Sequence, residues 1–158
     1  MIHKEKKVLV CIFSVYDEKC LEDILNKIPK AVANYEHEIL MLIDGSREAY
    51  FQSAVKTIES FKLFNVQMLF VSKELGYGEN QKLAFYYAIK HKFDVVLSLD
   101  GSGQYSPEDL KRFLAVLDDS GAHAVVGSRF LNTVGNKRLK ISFYRYFGNK
   151  MVSFFQNL

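Results

Sequence analysis

The stretch VVLSLDGSGQYSPEDL, residues 95–110, joins a short apolar run to an acid, two glycines and the start of a helix. The run VVLSL has the length of a buried strand, and it leads directly into Asp100. Ser106 is a favourable N-cap residue, Pro107 suits the first helical position, and two acids follow in the first turn. The stretch therefore predicts a strand, a polar loop and a helix in succession.

The rest of the chain repeats this alternation of strand and helix. Apolar residues at helical spacing predict three helices before the one at Ser106, of which the first ends before Tyr35 and the third follows Gly76 and Gly78. Such alternation predicts an α/β fold with a mostly parallel sheet and helices on both of its faces. The apolar runs that predict strands are residues 7–13, 38–43, 66–72, 95–99 and 124–128.

Length and composition favour one compact domain. The chain has 158 residues, 49% of them hydrophobic, and only two prolines, so a sizeable core is expected and a disordered linker is not. Cys11 lies in an apolar run and is interpreted as a core thiol, which suits a reducing compartment. The apolar run near the N-terminus is too short for a secretory signal, and no run approaches the roughly 20 apolar residues of a membrane span. A cytoplasmic location is expected.

Charge is distributed unevenly along the chain. Residues 120–158 contain six basic residues and no acid, whereas residues 1–119 contain 15 basic and 18 acidic residues. A positive third on a slightly acidic body suggests phosphate groups as partners, and the alternative is a solvated basic face. The aromatic stretch at residues 141–158 is either a core helix or an amphipathic segment at an anionic membrane surface.

Polar residues follow each of the five predicted strands. Ligands of open parallel sheets bind at the carboxyl ends of the strands, where these polar segments converge. The sequence therefore predicts a binding site with several acids and one arginine at that edge of the sheet. The segments are residues 16–18, 44–46, 76–78, 100–104 and 127–129.

In their order and spacing, the segments VYDE, IDGS, ELGYG, SLDGSGQYSPEDL and VVGSRF resemble the nucleotide-sugar-binding domain of family 2 glycosyltransferases. The resemblance extends in particular to the branch that includes dolichol- and polyprenyl-phosphate sugar synthases, and it covers residues 8–149. It implies a GT-A-like, Rossmann-like fold and transfer of a hexose from a UDP- or GDP-sugar to an acceptor such as a polyprenyl phosphate. It also implies a nucleotide-sugar-binding domain at residues 1–136. A basic aromatic segment at residues 137–158 would then begin an acceptor-side or membrane-side region.

The resemblance also assigns residues to the nucleotide. Asp44 belongs to IDGS, where the family usually shows two consecutive acids, and this departure implies an altered base pocket. The nucleotide-binding residues implied by the resemblance are Tyr16, Glu18, Asp44, Ser46, Gly78 and Asp100.

The family usually carries Asp-x-Asp where this chain has LDGSGQ. Asp100 takes the first acidic position, and Ser102 stands where the second acid, a direct metal ligand, is usual. The resemblance thus implies Mg²⁺ or Mn²⁺ held by Asp100, Ser102 and Gln104, in a site one carboxylate short. Ser102 also leaves open a degenerate or truncated, non-catalytic domain that binds sugar nucleotides and assists a partner.

Two arginines are assigned to phosphate by the same resemblance. Arg129, in GSR, implies contact with the donor or acceptor phosphate, for which a guanidinium fork is well shaped, and the alternative is an ion pair with a surface acid. Arg138 falls near a second arginine of the lipid-phosphate enzymes. Asp100 and Arg129 are the expected catalytic residues. The expected partners are the nucleotide sugar, a lipid phosphate and the cytoplasmic face of a membrane, with no nucleic acid, and a homodimer is left open.

Overall fold

The computed structural model describes residues 6–13, 18–45, 48–62, 65–103, 105–127 and 151. The chain forms two compact units, Met1–Val126 and Gly127–Leu158, and the fold given below is that of the first. The predicted domain boundary after residue 136 falls outside the described residues. So do five of the predicted site residues, namely Tyr16, Ser46, Gln104, Arg129 and Arg138.

Strands and helices alternate along the first unit. The strands are β1 (Lys7–Phe13), β2 (Glu36–Asp44), β3 (Val66–Val71) and β4 (Val95–Asp100), and the helices are α1 (Glu18–Ala31), α2 (Glu48–Phe61), α3 (Tyr77–Lys90) and α4 (Leu110–Ser120). The described strands form one sheet in the order β3-β2-β1-β4, and every pairing is parallel. The predicted α/β fold with a parallel, Rossmann-like sheet is confirmed.

Helices cover both faces of the sheet. On one face, α1, α2 and α4 pack over alternate residues of the strands, including Val10 and Met41. On the other, which we call the α3 face, Ala84 and Ala88 of α3 pack over Leu9 and its neighbours. Residues 8–13 of β1 are at most 1% exposed because this strand is covered from both sides. Its continuous apolar run follows from that position.

Cys11 is a core residue, as the sequence predicts. Its side chain is fully buried on the α3 face, where it packs among Leu9, Phe13 and Ala84. Burial raises the pKa of the Cys11 thiol to about 12, because the thiolate would lose its hydration. The reactive form of this cysteine is therefore scarce at neutral pH.

The connection from β4 to α4 differs slightly from the prediction. Ser106 is the N-cap residue, but of a 3₁₀ turn at Pro107–Asp109 that precedes α4. The Ser106 hydroxyl donates to Glu108 Oε2 at 3.3 Å and makes no capping bond to the backbone. Leu110 and Leu114 anchor the helix in the core. The helix start is thus in the predicted place, with a tighter first turn.

The predicted fifth strand is wrong over its described residues. Residues 124–127 have no regular secondary structure, and Val126 is 89% exposed. A strand is stable only when its backbone N–H and C=O groups pair with a neighbour, and no described strand flanks β4 on its outer side. The apolar run at residues 124–128 was therefore not sufficient to predict a strand.

Two tyrosines are expected to make the fold sensitive to alkaline pH. A hydrogen bond to Asp118 raises the pKa of Tyr35 to about 12, and burial with a hydrogen bond to Glu38 raises that of Tyr87 to about 12. The unfolded value is about 10, so this stabilisation is complete below pH about 10 and is lost as the pH rises towards 12. The free energy of unfolding should fall over that interval. Absorbance of the phenolates, compared between the wild type and Tyr87→Phe, tests this, and titration of every tyrosine near pH 10 would contradict it.

Candidate active site

Asp100 lies at the carboxyl edge of the sheet, as the last residue of β4. In the parallel register of β1 and β4 it pairs with Phe13, the last residue of β1. Paired residues of parallel strands project to the same side of the sheet, so Asp100 belongs to the α3 face. This is the edge at which α/β proteins bind their ligands.

The loop at residues 101–105 follows Asp100 and is held by hydrogen bonds that its backbone N–H groups donate. Asp100 Oδ1 accepts a hydrogen bond from the Ser102 N–H at 2.8 Å, which closes a tight turn on the carboxylate. The Gly101 N–H donates to the carbonyl of Phe13 at 2.6 Å and ties the turn to β1. We call residues 101–105 the β4 loop. One carboxylate oxygen therefore has a structural task within this loop.

Ser102 has a hydroxyl that is buried and has no hydrogen-bond partner among the described residues. A buried hydroxyl without a partner loses its hydration with no compensation, at a cost of about 1–3 kcal/mol. Such an atom is expected to have a partner beyond the described residues, such as water, a cation or another polar group. Ser102 and Asp100 are thus the pair of predicted ligands that the described structure brings together.

Cys20 of α1 packs beneath the β4 loop. Its thiol lies 4.0 Å from the carbonyl oxygen of Ser102. Gly103 has a φ of +75°, and a Cβ there would come within 3.1 Å of the Cys20 sulfur. The left-handed backbone and this close contact together favour glycine at position 103. Sequence reasoning missed this contact, because the two residues are 83 positions apart in the sequence.

An exposed aromatic ring lies beside the loop. Tyr77, the first residue of α3, is 51% exposed, and its ring meets that of Phe13 edge to face with centroids 5.6 Å apart. Since Phe13 pairs with Asp100, this ring belongs to the same edge of the sheet. Edge-to-face packing holds the ring while leaving much of its surface open to a ligand. The sequence signal was the tyrosine between Gly76 and Gly78.

Gly78 lies inside α3 and not in a loop before it. Tyr77 begins the helix, and Gly76 is its N-cap residue, with a carbonyl that accepts from the Glu79 and Asn80 N–H groups. A Cβ at Gly78 would meet nothing within 4 Å. The first turn of α3 therefore presents open backbone at the carboxyl edge, a setting that suits a phosphate.

Asp44 is the last residue of β2 and pairs with Val71 of β3. The following residue, Gly45, donates its N–H to the Lys73 carbonyl at 3.2 Å. A Cβ on Gly45 would lie 2.3 Å from the Ser72 carbonyl oxygen, so only glycine fits here. The backbone thus places Asp44 at the predicted edge of the sheet.

Glu18 begins α1 and contacts α2. Its carboxylate accepts a hydrogen bond from the Ser53 hydroxyl of α2. These two residues, with Lys19, Glu22 and Tyr50, line an open cleft of about 680 Å³ between α1 and α2. The structure therefore places Glu18 beside α2, at the start of the helix that follows β1.

The donors at the β4 loop fit a weakly held divalent cation. Among the described residues, no three His, Cys, Asp or Glu side chains converge as a metal site. Asp100 and the unpartnered hydroxyl of Ser102 are nevertheless oxygen donors, which Mg²⁺ and Mn²⁺ prefer. Mg²⁺ commonly keeps several waters, so a short set of protein ligands is sufficient.

The chain matches the domain described as glycosyl transferase family 2 over residues 9–157. The match therefore spans the whole described sheet apart from the first residues of β1, and it includes the β4 loop. Members of this family take a sugar donor and an acceptor, and many use a divalent metal. With its parallel α/β sheet and a carboxylate at the sheet's ligand-binding edge, the chain belongs to glycosyl transferase family 2 and is a glycosyltransferase.

Proposed function

We propose that this glycosyltransferase moves a hexose from a UDP- or GDP-sugar to a polyprenyl phosphate. The observation that carries the proposal is the β4 loop, where the Asp100 carboxylate lies at the sheet's carboxyl edge with a buried Ser102 hydroxyl that has no partner among the described residues. In the reaction, an acceptor oxygen bonds to the anomeric carbon. The bond from that carbon to the diphosphate breaks, and the nucleoside diphosphate leaves with the electron pair. The anomeric configuration inverts.

Asp100 and Ser102, with Gln104, would hold Mg²⁺ or Mn²⁺ beside the donor. A cation bound there would neutralise charge on the diphosphate leaving group. Asp100 would have two separate roles. One carboxylate oxygen accepts a hydrogen bond from the Ser102 N–H, and the negative charge of the carboxylate would attract the cation. The structure supports the first role by distance, and the second follows from the position of Asp100 at the end of β4.

Further contacts to the nucleotide are proposed for residues at the start of α3 and for residues assigned from the sequence. Gly78 lies in the first turn of α3, where open backbone N–H groups and the helix dipole suit a phosphate. Tyr77 adds an exposed ring near the same edge, which suits stacking of a base or sugar. The further residues proposed for nucleotide binding are Tyr16, Glu18, Asp44, Ser46 and Asp100.

The proposed contacts to the acceptor are based on the positive charge of residues 120–158. Arg129 is proposed as a catalytic residue that contacts the donor or acceptor phosphate, and Arg138 as a second contact to the acceptor. A phosphate acceptor is already ionised near neutral pH, so its oxygen needs no general base. The basic, aromatic residues 137–158 would place the enzyme at the cytoplasmic face of a membrane. In the described part of the chain, none of the helices combines the length and the apolar character needed to cross a bilayer.

The alternative function, a non-catalytic sugar-nucleotide-binding domain, is not favoured. The Ser102 departure that suggested it removes one ligand, and the donors that remain still fit a weakly held cation.

Calorimetric titration of the full chain with UDP, GDP and their sugars, each with Mn²⁺ and with a chelator, tests the proposal. We expect one nucleotide class to bind, and to bind more tightly with Mn²⁺. Absence of binding for every nucleotide, with or without the cation, would refute a nucleotide-sugar donor at this site.

A further inference from the structure

The outward surface of α3 is apolar where a surface helix is normally polar. Phe85, Tyr86 and Ile89 are 45%, 66% and 77% exposed, and they are neighbours on one side of the helix. The apolar residues and the lysines beside them extend from residue 82 to residue 90, which is about 12 Å along the helix axis. With the lysines at either end, we call the surface the α3 stripe: Lys82, Phe85, Tyr86, Ile89 and Lys90.

The stripe is on the side of α3 that does not pack on the sheet. Ala84 and Ala88 are buried against the α3 face, and they lie about half a turn away from Tyr86. The exposed side chains therefore contribute little to the described core. Single exposed apolar residues are ordinary on protein surfaces, whereas three contiguous ones on a helix suggest an interaction site.

Basic residues outnumber acids around the stripe. Residues 80–93 contain three lysines and one histidine and no acid. Two acids flank this segment: Glu79 forms an ion pair with Lys82 at 2.7 Å, and Asp94 accepts the Lys7 backbone N–H at 2.9 Å. Because Glu79 offsets the charge of Lys82, the positive charge of this surface rests on the exposed Lys90 and Lys92. Beneath the helix, the Glu38 carboxylate accepts from the Tyr87 hydroxyl. The local field is therefore positive on balance.

We propose that the α3 stripe docks α3 sideways onto an anionic lipid surface. Phe85 and Ile89 would enter the apolar boundary of the headgroups, and Tyr86 offers an apolar ring with a polar tip. Lys90 has a long apolar stem that lets its ammonium group reach a lipid phosphate, whereas Lys82 is paired with Glu79. The inference stands on the described residues of α3 and does not depend on the proposed function.

The charge of the α3 stripe indicates which kind of partner it binds. A second copy packed on the same stripe by two-fold symmetry would bring lysines against lysines, and any other basic occupant would be repelled as well. An anionic bilayer matches both the positive charge and the row of apolar side chains. An acidic protein would match the charge, and the experiment below separates that case from a bilayer.

Co-sedimentation of the full chain with phosphatidylcholine vesicles, with and without phosphatidylserine, tests the proposal. We expect binding that requires the anionic lipid and weakens at high salt. The double variant Ile89→Ser/Lys90→Glu should lower the bound fraction by about tenfold, because it removes an exposed apolar side chain and reverses one charge. Lys90→Glu alone should give a smaller loss in the same direction.

The matched control is Val116→Ser/Lys111→Glu on α4, which packs on the opposite face of the sheet. It removes one exposed apolar side chain and reverses one exposed lysine, and Val116 is 48% exposed. We expect it to bind vesicles as the wild type does, with unchanged thermal midpoints in both double variants. A wild type that ignores anionic vesicles at low salt would overturn the proposal. The double variant Arg145→Glu/Lys150→Glu tests whether the basic aromatic residues 137–158 bind the vesicles instead. Undiminished binding by the α3 double variant, or a loss of binding seen only in Arg145→Glu/Lys150→Glu, would also overturn the proposal.

Discussion

Asp100→Ala is expected to abolish cation-dependent nucleotide binding, with a loss of more than about 100-fold in affinity. The change removes a carboxylate proposed to ligate the cation, and even partners in the outer shell of a metal site are worth about 10–100-fold. It also removes the acceptor of the Ser102 N–H, which is 2.8 Å from Asp100 Oδ1. Titration calorimetry with Mn²⁺ and the preferred nucleotide measures the loss.

Asp100→Asn is the matched variant that separates charge from loop geometry. The amide oxygen of asparagine can still accept the Ser102 N–H and keep the turn, while the negative charge is gone. We expect Asp100→Asn to lose Mn²⁺-dependent binding nearly as fully as Asp100→Ala, with a smaller effect on the thermal midpoint. Wild-type affinity in Asp100→Asn would show that the carboxylate only shapes the loop.

Gly45→Ala is expected to give a large loss of stability, about 3 kcal/mol. The added Cβ would lie 2.3 Å from the carbonyl oxygen of Ser72 and 3.2 Å from the carbonyl carbon of Lys73. These are backbone atoms, which cannot move aside as a flexible side chain can, and overpacking of this kind costs about 1–3 kcal/mol. For a chain of this size, the thermal midpoint should fall by about 6–12 °C.

Gly78→Ala provides the control for this prediction, because a Cβ there meets nothing within 4 Å. Alanine is the better helix former, so this variant should be neutral or more stable by up to about 1 kcal/mol. Scanning calorimetry of both variants makes the comparison. Equal midpoints for Gly45→Ala and the wild type would contradict the close approach of the β2 and β3 ends.

The parts of the fold that the sequence predicts best are those decided by local pattern. Val95 begins a strand that ends at Asp100, and Ser106 and Pro107 precede a helix, as the apolar run and the helix-start residues indicate. The position of Cys11 in the core follows from the unbroken apolar run of β1. In each case the deciding side chains are close together in the sequence.

Predictions failed or were missing where distant residues decide the outcome. Val126 lies in an apolar run, yet a strand there would need a partner that no local pattern supplies. The contact of Cys20 with the β4 loop, and that of Tyr77 with Phe13, join segments far apart in the chain. Only the strand order brings such residues together, and neither composition nor periodicity encodes that order.

The α3 stripe was missed for a different physical reason. Apolar residues occupy most of the circumference of this helix, so spacing alone cannot tell its buried side from its exposed side. Ala84 and Ala88 approach the sheet because they are small, and this leaves the larger Phe85, Tyr86 and Ile89 outside. The side of α3 that faces the sheet is therefore set by how closely its residues can pack there, and not by the spacing of its apolar residues.

The most direct measurement of the central claim, that the β4 loop holds a cation beside the donor, is the Mn²⁺ dependence of nucleotide affinity in Ser102→Asp. In the proposed cation site, Ser102 takes the position of a second carboxylate, and its hydroxyl is buried without a partner among the described residues. A second carboxylate should tighten Mn²⁺-dependent binding by about tenfold, because affinity for a hard cation rises with ligand charge. Equal affinity in Ser102→Asp and the wild type, with Mn²⁺ and with a chelator, would contradict the claim.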